Sequence, residues 1–217
     1  MFNTLIFDAD GVLVNSMLFH ADAWIQTFSE VGIDVVRQEI YDIEGSNFVG
    51  VIELVFKKAG RETTTELIEK LRMRKRELFF RYEKVTAFEG MYDFLKEKKD
   101  KYNLAVVSGS DRPIIDKMFN KLYPDIFDLL ISGADVTHGK PHPEPYLKAV
   151  ENFGVEKEKC LVIENAPLGV ESAKNAGLYC VAVSTHVDPK KLEKADKVFN
   201  DHSELLEFLK ELDIKKE

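Results

Sequence analysis

Cysteine is nearly absent from this 217-residue chain, which has two, so the multi-bridge framework of small secreted domains is excluded. Both, Cys160 and Cys180, sit inside apolar runs ("CLVIE", "YCVAV"), where small core residues are expected rather than a bridge or a metal site. Basic charge is in deficit: 30 Lys and Arg against 38 Asp and Glu leave a net charge of -8 and a pI near 5.3. That balance argues against nucleic-acid or anionic-membrane partners, which need a basic footprint. It leaves room for a local basic pocket that takes a small anion. No stretch approaches the roughly 18 uninterrupted apolar residues of a membrane span, and the N-terminus has no basic segment followed by an apolar signal core. A cytoplasmic location is the expectation. Glutamine is also scarce beside abundant Lys and Glu, a balance found in heat-adapted proteins.

What is present is a globular composition, 45% hydrophobic and 31% charged. "NTLIFDAD" reads as a short buried strand. From Met17 to about Lys84 the periodicity is helical throughout. "SMLFHADAWIQTFSEVG" stops at Gly32, "SNFVGVIELVFKKAG" has Ser46 or Asn47 as its cap and Gly60 beyond its end, and "TTTELIEKLRMRKRELFFRYEK" is a long third helix. Beyond residue 85 strands alternate with helices. "NLAVVSGS", "FDLLISG", "KCLVIEN" and "LYCVAVST" are the strands, and "SELLEFLKEL" is the closing helix. This alternation predicts an α/β fold, a doubly wound parallel sheet covered on both faces, with an all-helical domain inserted after the first strand. The expected division is a core of residues 1–16 and 85–217 and a helical insert of 17–84, with a tail over only the last few residues.

Ligands of such a sheet bind outside the carboxyl ends of its strands. Three strands here end in polar residues: Asp8 and Asp10, then Ser108-Gly109-Ser110, then Glu164-Asn165. The loop "GKPHP" adds Lys140. Asp8 and Asp10, two apart on a strand, point the same way, and two carboxylates that close must share a proton or a cation. A turn that uses Asp10-Gly11 is the competing account, but it leaves Asp8 unexplained. Ser110 or Asp111 can cap the following helix and still contribute to an anion cradle. Lys140 taken singly is an ordinary solvated lysine; the prolines after it stiffen the loop and make it a phosphate contact. Glu164 buried beside Asn165 would be costly without a partner, and a hard divalent cation held by oxygens resolves that cost for Asp8, Asp10 and Glu164 together.

In order and spacing, "DADGVLVNS", "SGS", "GKPHPEPY" and "IENAPLGVESAKNAG" resemble the haloacid dehalogenase superfamily of phosphatases and phosphomutases, and the resemblance spans essentially the whole chain. It implies a Rossmann-like core with a helical cap, a Mg²⁺ cofactor and a small phosphorylated substrate. Asp8 is implied as the nucleophile that becomes an aspartyl phosphate. Asp10 is implied as the acid and base, with its main-chain carbonyl on the metal. Ser108 and Lys140 are implied to hold phosphoryl oxygens with Gly109 and Ser110 beside them, and Glu164 and Asn165 to complete the metal sphere. The second aspartate points to phosphoryl transfer, because a halide leaving group needs no acid. One departure stands out: the family usually has an aspartate where this chain has Asn165, and the lost charge weakens metal binding.

Within the superfamily the chain is similar to the group of β-phosphoglucomutase and small sugar-phosphate phosphatases. His20, Trp24 and Lys75 lie where the mutase has cap residues, although His20 and Trp24 can equally be packing neighbours and "RMRKR" a solvated helix face. The family's cap arginine falls in "EGSNFVG", where this chain has Asn47 and Phe48. Hydrolysis of a sugar or polyol phosphate by a monomer is therefore the expectation. A phosphomutase is the alternative, and a catalytically silent binding module of the same fold is the second.

Overall fold

The computed structural model describes residues 1–212; the expected end of the core at residue 217 and its tail lie outside the described residues. Six strands form one parallel sheet: β1 (Thr4–Phe7), β4 (Asn103–Val107), β5 (Leu129–Ile131), β6 (Cys160–Glu164), β7 (Tyr179–Val183) and β8 (Lys197–Phe199). Their spatial order is β5-β4-β1-β6-β7-β8, all pairs parallel. The chain leaves β1 toward β4 on one side and later returns to β6 on the other, so the switch point of the sheet lies at β1.

Alternation along the strands sorts their side chains into two cores. Leu5, Phe7, Leu104 and Val106 pack with α5 (Met91–Lys98), α6 (Arg112–Leu122) and α9 (His202–Glu211). Ile6, Ala105, Val107 and Val162 face the other way, onto α7 (Glu144–Phe153) and α8 (Pro167–Asn175). With both faces covered, continuous apolar runs become the stable choice, each buried large aliphatic side chain contributing about 1.5–3 kcal/mol. Cys160 and Cys180 are free and buried in these runs.

Two short strands, β2 (Val14–Asn15) and β3 (Thr86–Ala87), pair antiparallel with Val14 opposite Ala87. Between them lie α1 (Met17–Ser29), α2 (Arg37–Asp42), α3 (Phe48–Lys58) and α4 (Thr65–Tyr82). Asn47 caps α3, its side chain accepting from the Gly50 amide at 3.0 Å. Trp24, Phe28, Ile52, Phe56 and Leu71 share a buried cluster that is continuous with the second sheet core.

The sequence reading missed β8, α2 and the β2–β3 pair. Three residues of "KVF" beside Asp and Lys carry too little periodicity to announce a strand, and the two-residue ribbons carry none.

Candidate active site

The site lies at the carboxyl edge of the central strands. Asp8 directly follows β1 and its amide still donates to Ile163 O at 2.9 Å, so its direction is set by the sheet. Gly11 then turns the chain at φ +93°, a left-handed conformation, and a Cβ there would meet Asn165 Nδ2 at 2.2 Å. Only glycine satisfies both demands.

Lys140 is the electrostatic centre. Its Nζ donates to Asp8 Oδ1 at 2.6 Å, to Glu164 Oε1 at 2.6 Å and to Val107 O at 3.1 Å. Lys140, Asp8 and Glu164 are 2%, 4% and 0% exposed, so this triad is held without solvent screening. Glu164 Oε1 also accepts from the Tyr146 hydroxyl at 2.7 Å, and Oε2 accepts from the amides of Asn165 and Ala166. Both Glu164 oxygens thus accept from protein donors in this structure. Burial raises Asp8 to about 8, against the lowering influence of Lys140. Burial opposes the charge of Lys140, but Asp8 and Glu164 outweigh it and hold the ammonium protonated.

Asp10 is gripped from several elements. Ser110 Oγ donates to Oδ2 at 2.8 Å and Ser108 Oγ at 3.2 Å. Oδ1 receives the Ser16 hydroxyl, and His20 Nε2 stands 2.9 Å from it. Burial pushes Asp10 up, yet His20 and the Ser16 and Ser110 hydroxyls bring it below the usual carboxylate range. Behind His20, Lys75 Nζ lies 2.7 Å from Nδ1. An ammonium can only donate, so Nδ1 accepts and the ring proton sits on Nε2, the nitrogen near Asp10, which lies within ion-pair distance but outside hydrogen-bond geometry. Burial, and then the charge of Lys75, lowers His20, consistent with a neutral ring.

Asp8, Asp10, His20, Lys75, Gly109 and Ser110 line a single chamber. Ser108, Lys140, Glu164 and Asn165 stand buried around it. Trp24 and Phe48 form part of its apolar wall. Gly109 is where the helical segment touches the core, because a Cβ there would meet Ser46 O at 2.4 Å.

Several participants were not picked out from sequence. Glu44 lines the chamber and accepts from Asn165 Nδ2 at 3.3 Å. Burial, with Asp8 and Asp10 nearby, holds it well above the ordinary carboxylate range. Arg72 and Arg76 also line the chamber and pair with Asp111 at 2.6 and 3.2 Å. "RMRKR" is therefore not wholly a solvated face, since Arg72 lies 4.4 Å over the Phe48 ring.

The family model for haloacid dehalogenase-like hydrolases matches residues 5–183. The chain belongs to that family. It is an enzyme of the family, with relatives named as phosphatases. A validoxylamine A 7'-phosphate phosphatase from Streptomyces hygroscopicus subsp. limoneus is 26% identical over 94% of this chain and 96% of its own length. A protein of Haemophilus influenzae, described as uncharacterized, is 32% identical over 83% of this chain and 90% of its own. Among solved structures, one provisionally described as a beta-phosphoglucomutase from Bacteroides vulgatus superposes with a TM-score of 0.88 at 33% identity. It covers 97% of this chain and 87% of its own. Among the described residues, no helix is long and apolar enough to cross a membrane.

One consequence concerns Lys75, which burial lowers to about 8. Below that pH it is charged in both the folded and unfolded states, and the folded state bears the full cost of burying the charge. Lys75→Met should therefore raise stability by about 3 kcal/mol at pH 7. The gain should shrink as pH climbs from about 8 to the unfolded value near 10.5, because the wild-type protein then folds with a neutral amine. Activity should fall, since His20 loses the group that fixes its tautomer. Urea titrations across that pH range, with kcat beside them, check both effects.

Proposed function

We propose that the protein is a Mg²⁺-dependent phosphatase that hydrolyses a small phosphorylated metabolite, a sugar or polyol phosphate, through an aspartyl phosphate on Asp8. Residues 17–84 act as a cap over a core of 1–16 and 85–217, in a monomer working in the cytoplasm. The observation that carries this reading is the contrast between two carboxylates at one strand end. Among the described residues the Asp8 side chain is held by Lys140, while that of Asp10 is surrounded by Ser16, His20, Ser108 and Ser110. Two acids held in different surroundings take different roles.

The residues present fit Mg²⁺. Asn165 Oδ1 and Glu44 Oε2 are buried oxygens without hydrogen-bond partners among the described residues, and the Asp8 and Asp10 carboxylates near them add the oxygen donors that a hard cation requires. Asp8, the main-chain carbonyl of Asp10 and Asn165 would hold the ion. Bound there, Mg²⁺ supplies charge neutralisation between a phosphate dianion and the attacking carboxylate.

The protein's own steps follow from its geometry. Burial keeps a proton on Asp8 in the metal-free site at neutral pH, so Asp8 must first release it to solvent; Lys140 then holds one oxygen of the carboxylate and leaves the other to attack phosphorus. As the Asp8–phosphorus bond forms, the ester oxygen leaves with its electron pair and takes a proton from Asp10. The same Asp10 then removes a proton from the water that attacks the aspartyl phosphate, releasing phosphate and regenerating Asp8. In the resting site Asp10 is ionised. An arriving phosphate dianion raises its proton affinity, so that Asp10 takes up a proton from solvent as substrate is seated and gives it to the leaving oxygen; the proton it later removes from the attacking water returns to solvent when phosphate leaves. Trp24, Ile40, Phe48 and Val51 give the leaving group an apolar wall and exclude bulk water.

The test is a phosphate-release panel of sugar and polyol phosphates with Mg²⁺, run with Asp10→Asn. Loss of general acid–base catalysis should lower kcat by about 10²–10⁴-fold for poor leaving groups and least for acyl phosphates. An equal loss for all leaving groups would contradict the role of Asp10. No release from any phosphate ester, p-nitrophenyl phosphate included, would favour the silent binding module.

A phosphomutase is the second reading, favoured by Arg72 and Arg76 on the chamber wall. They offer guanidinium groups for a second phosphate from α4 instead of from residues 44–50. Both are already paired with Asp111, which is why hydrolysis is preferred. Isomerisation of β-glucose 1-phosphate with a bisphosphate primer would reverse that preference.

A further inference from the structure

Glu44 is a carboxylate where a phosphate enzyme has least reason to place one. It sits in the turn between α2 and α3, 9% exposed, and lines the chamber that holds Asp8 and Asp10. It contributes no bond to the Lys140 triad or to Asp10. Its Oε1 accepts from Asn165 Nδ2 at 3.3 Å. Glu44 Oε2 and Asn165 Oδ1 are both buried without a hydrogen-bond partner among the described residues. Unsatisfied buried oxygens on two facing side chains are costly unless a cation takes them.

An asparagine ligand has a difficulty that an aspartate does not: only one of its two terminal atoms can bind a cation, and the amide can turn either way. A carboxylate facing Nδ2 removes the ambiguity. We propose that Glu44 is a positioning residue for Asn165. By accepting from Nδ2 it turns Oδ1 to the cation, and its charge restores what an amide lacks, so that the Glu44–Asn165 pair does the work of one aspartate. Glu44 arrives from the helical segment, beside the Gly45 and Ser46 backbone that abuts Gly109. Cation affinity is therefore linked to the seating of that segment on the core. The inference rests on the metal-dependent reading of the site given above.

The test is direct binding without substrate. Mn²⁺ uptake, read from the electron paramagnetic resonance signal of the free ion, is compared for the wild type, Glu44→Gln and the swap variant Glu44→Gln/Asn165→Asp. Thermal melts in EDTA confirm that each is folded. Removing a partner that orients a ligand weakens affinity by about 10–100-fold, and that loss is expected for Glu44→Gln. The swap variant, which moves the carboxylate to position 165 and the amide to 44, should recover most of it. A mere packing role for Glu44 would not produce that recovery. Unchanged uptake by Glu44→Gln, or a swap variant no better than the single one, overturns this inference alone. Absence of uptake by the wild type overturns it together with the metal dependence of the proposed function.

Discussion

Asp8→Asn should abolish phosphoryl transfer: kcat falls by about five orders of magnitude or more, the scale on which enzymes lose a covalent nucleophile. That is about 7 kcal/mol of lost transition-state stabilisation. The size of the effect follows from how little can replace Asp8. Asp10 is two residues away, but its oxygens are occupied by Ser16, His20, Ser108 and Ser110. Glu164 has both oxygens engaged by Lys140, Tyr146 and two amides. An asparagine at position 8 still accepts from Lys140, so the substituted protein should fold and bind phosphate esters. Acid quench and peptide mass spectrometry should find a phosphorylated Asp8 in the wild type with acyl phosphates as donor, and none in the variant. A variant with a tenth of wild-type turnover would mean that water attacks the substrate directly.

Lys140→Met should have the largest effect on stability. The ammonium lies between two buried carboxylates at 2.6 Å from each. Breaking a buried ion pair by deleting one partner costs about 3–5 kcal/mol, because the charge left behind has neither water nor a counterion. The loss should depend on pH. Burial already raises Asp8 from 3.8 to about 8, so between these values the unfolded chain has released a proton that the folded one retains. Folded stability therefore falls as pH rises through that window. Without Lys140, which lowers Asp8, the window extends upward. Urea titrations of metal-free protein from pH 5 to pH 9 (about two units either side of neutrality) should show the variant losing ground fastest at the alkaline end. Equal stability of variant and wild type throughout would refute the electrostatic role of Lys140.

Much of the site was legible because strand grammar exposes it. A buried parallel strand reads as an unbroken apolar run, so a polar residue at its end is conspicuous, and Asp8, Ser108 and Glu164 all announce themselves this way. The two faces of the sheet and the long α4 follow from the same periodicities. Capping grammar was less informative. Ser16 and Asp111 occupy helix N-cap positions without capping; the hydroxyl of Ser16 goes to Asp10, and the carboxylate of Asp111 to Arg72 and Arg76. The local preference was met in position and overridden in bonding by stronger charged partners. Tyr146 reads as a core aromatic of α7 and is one, yet its hydroxyl holds Glu164. Glu44 had no signal at all. A single acid in "DIEGS" is indistinguishable from a solvated one until the fold brings it to Asn165, 121 residues along the chain.

The central claim is that phosphorus is passed to a carboxylate and then to water. The stereochemical course at phosphorus tests it most directly. Hydrolysis leaves phosphorus with four oxygens, one more than the stable isotopes of oxygen can distinguish, so one oxygen is replaced by sulfur: a phosphorothioate ester made chiral by two oxygen isotopes is hydrolysed in water carrying the third, and the configuration of the released thiophosphate is read. Two in-line displacements give net retention, which the account predicts. Inversion would show a single attack by water and would contradict it.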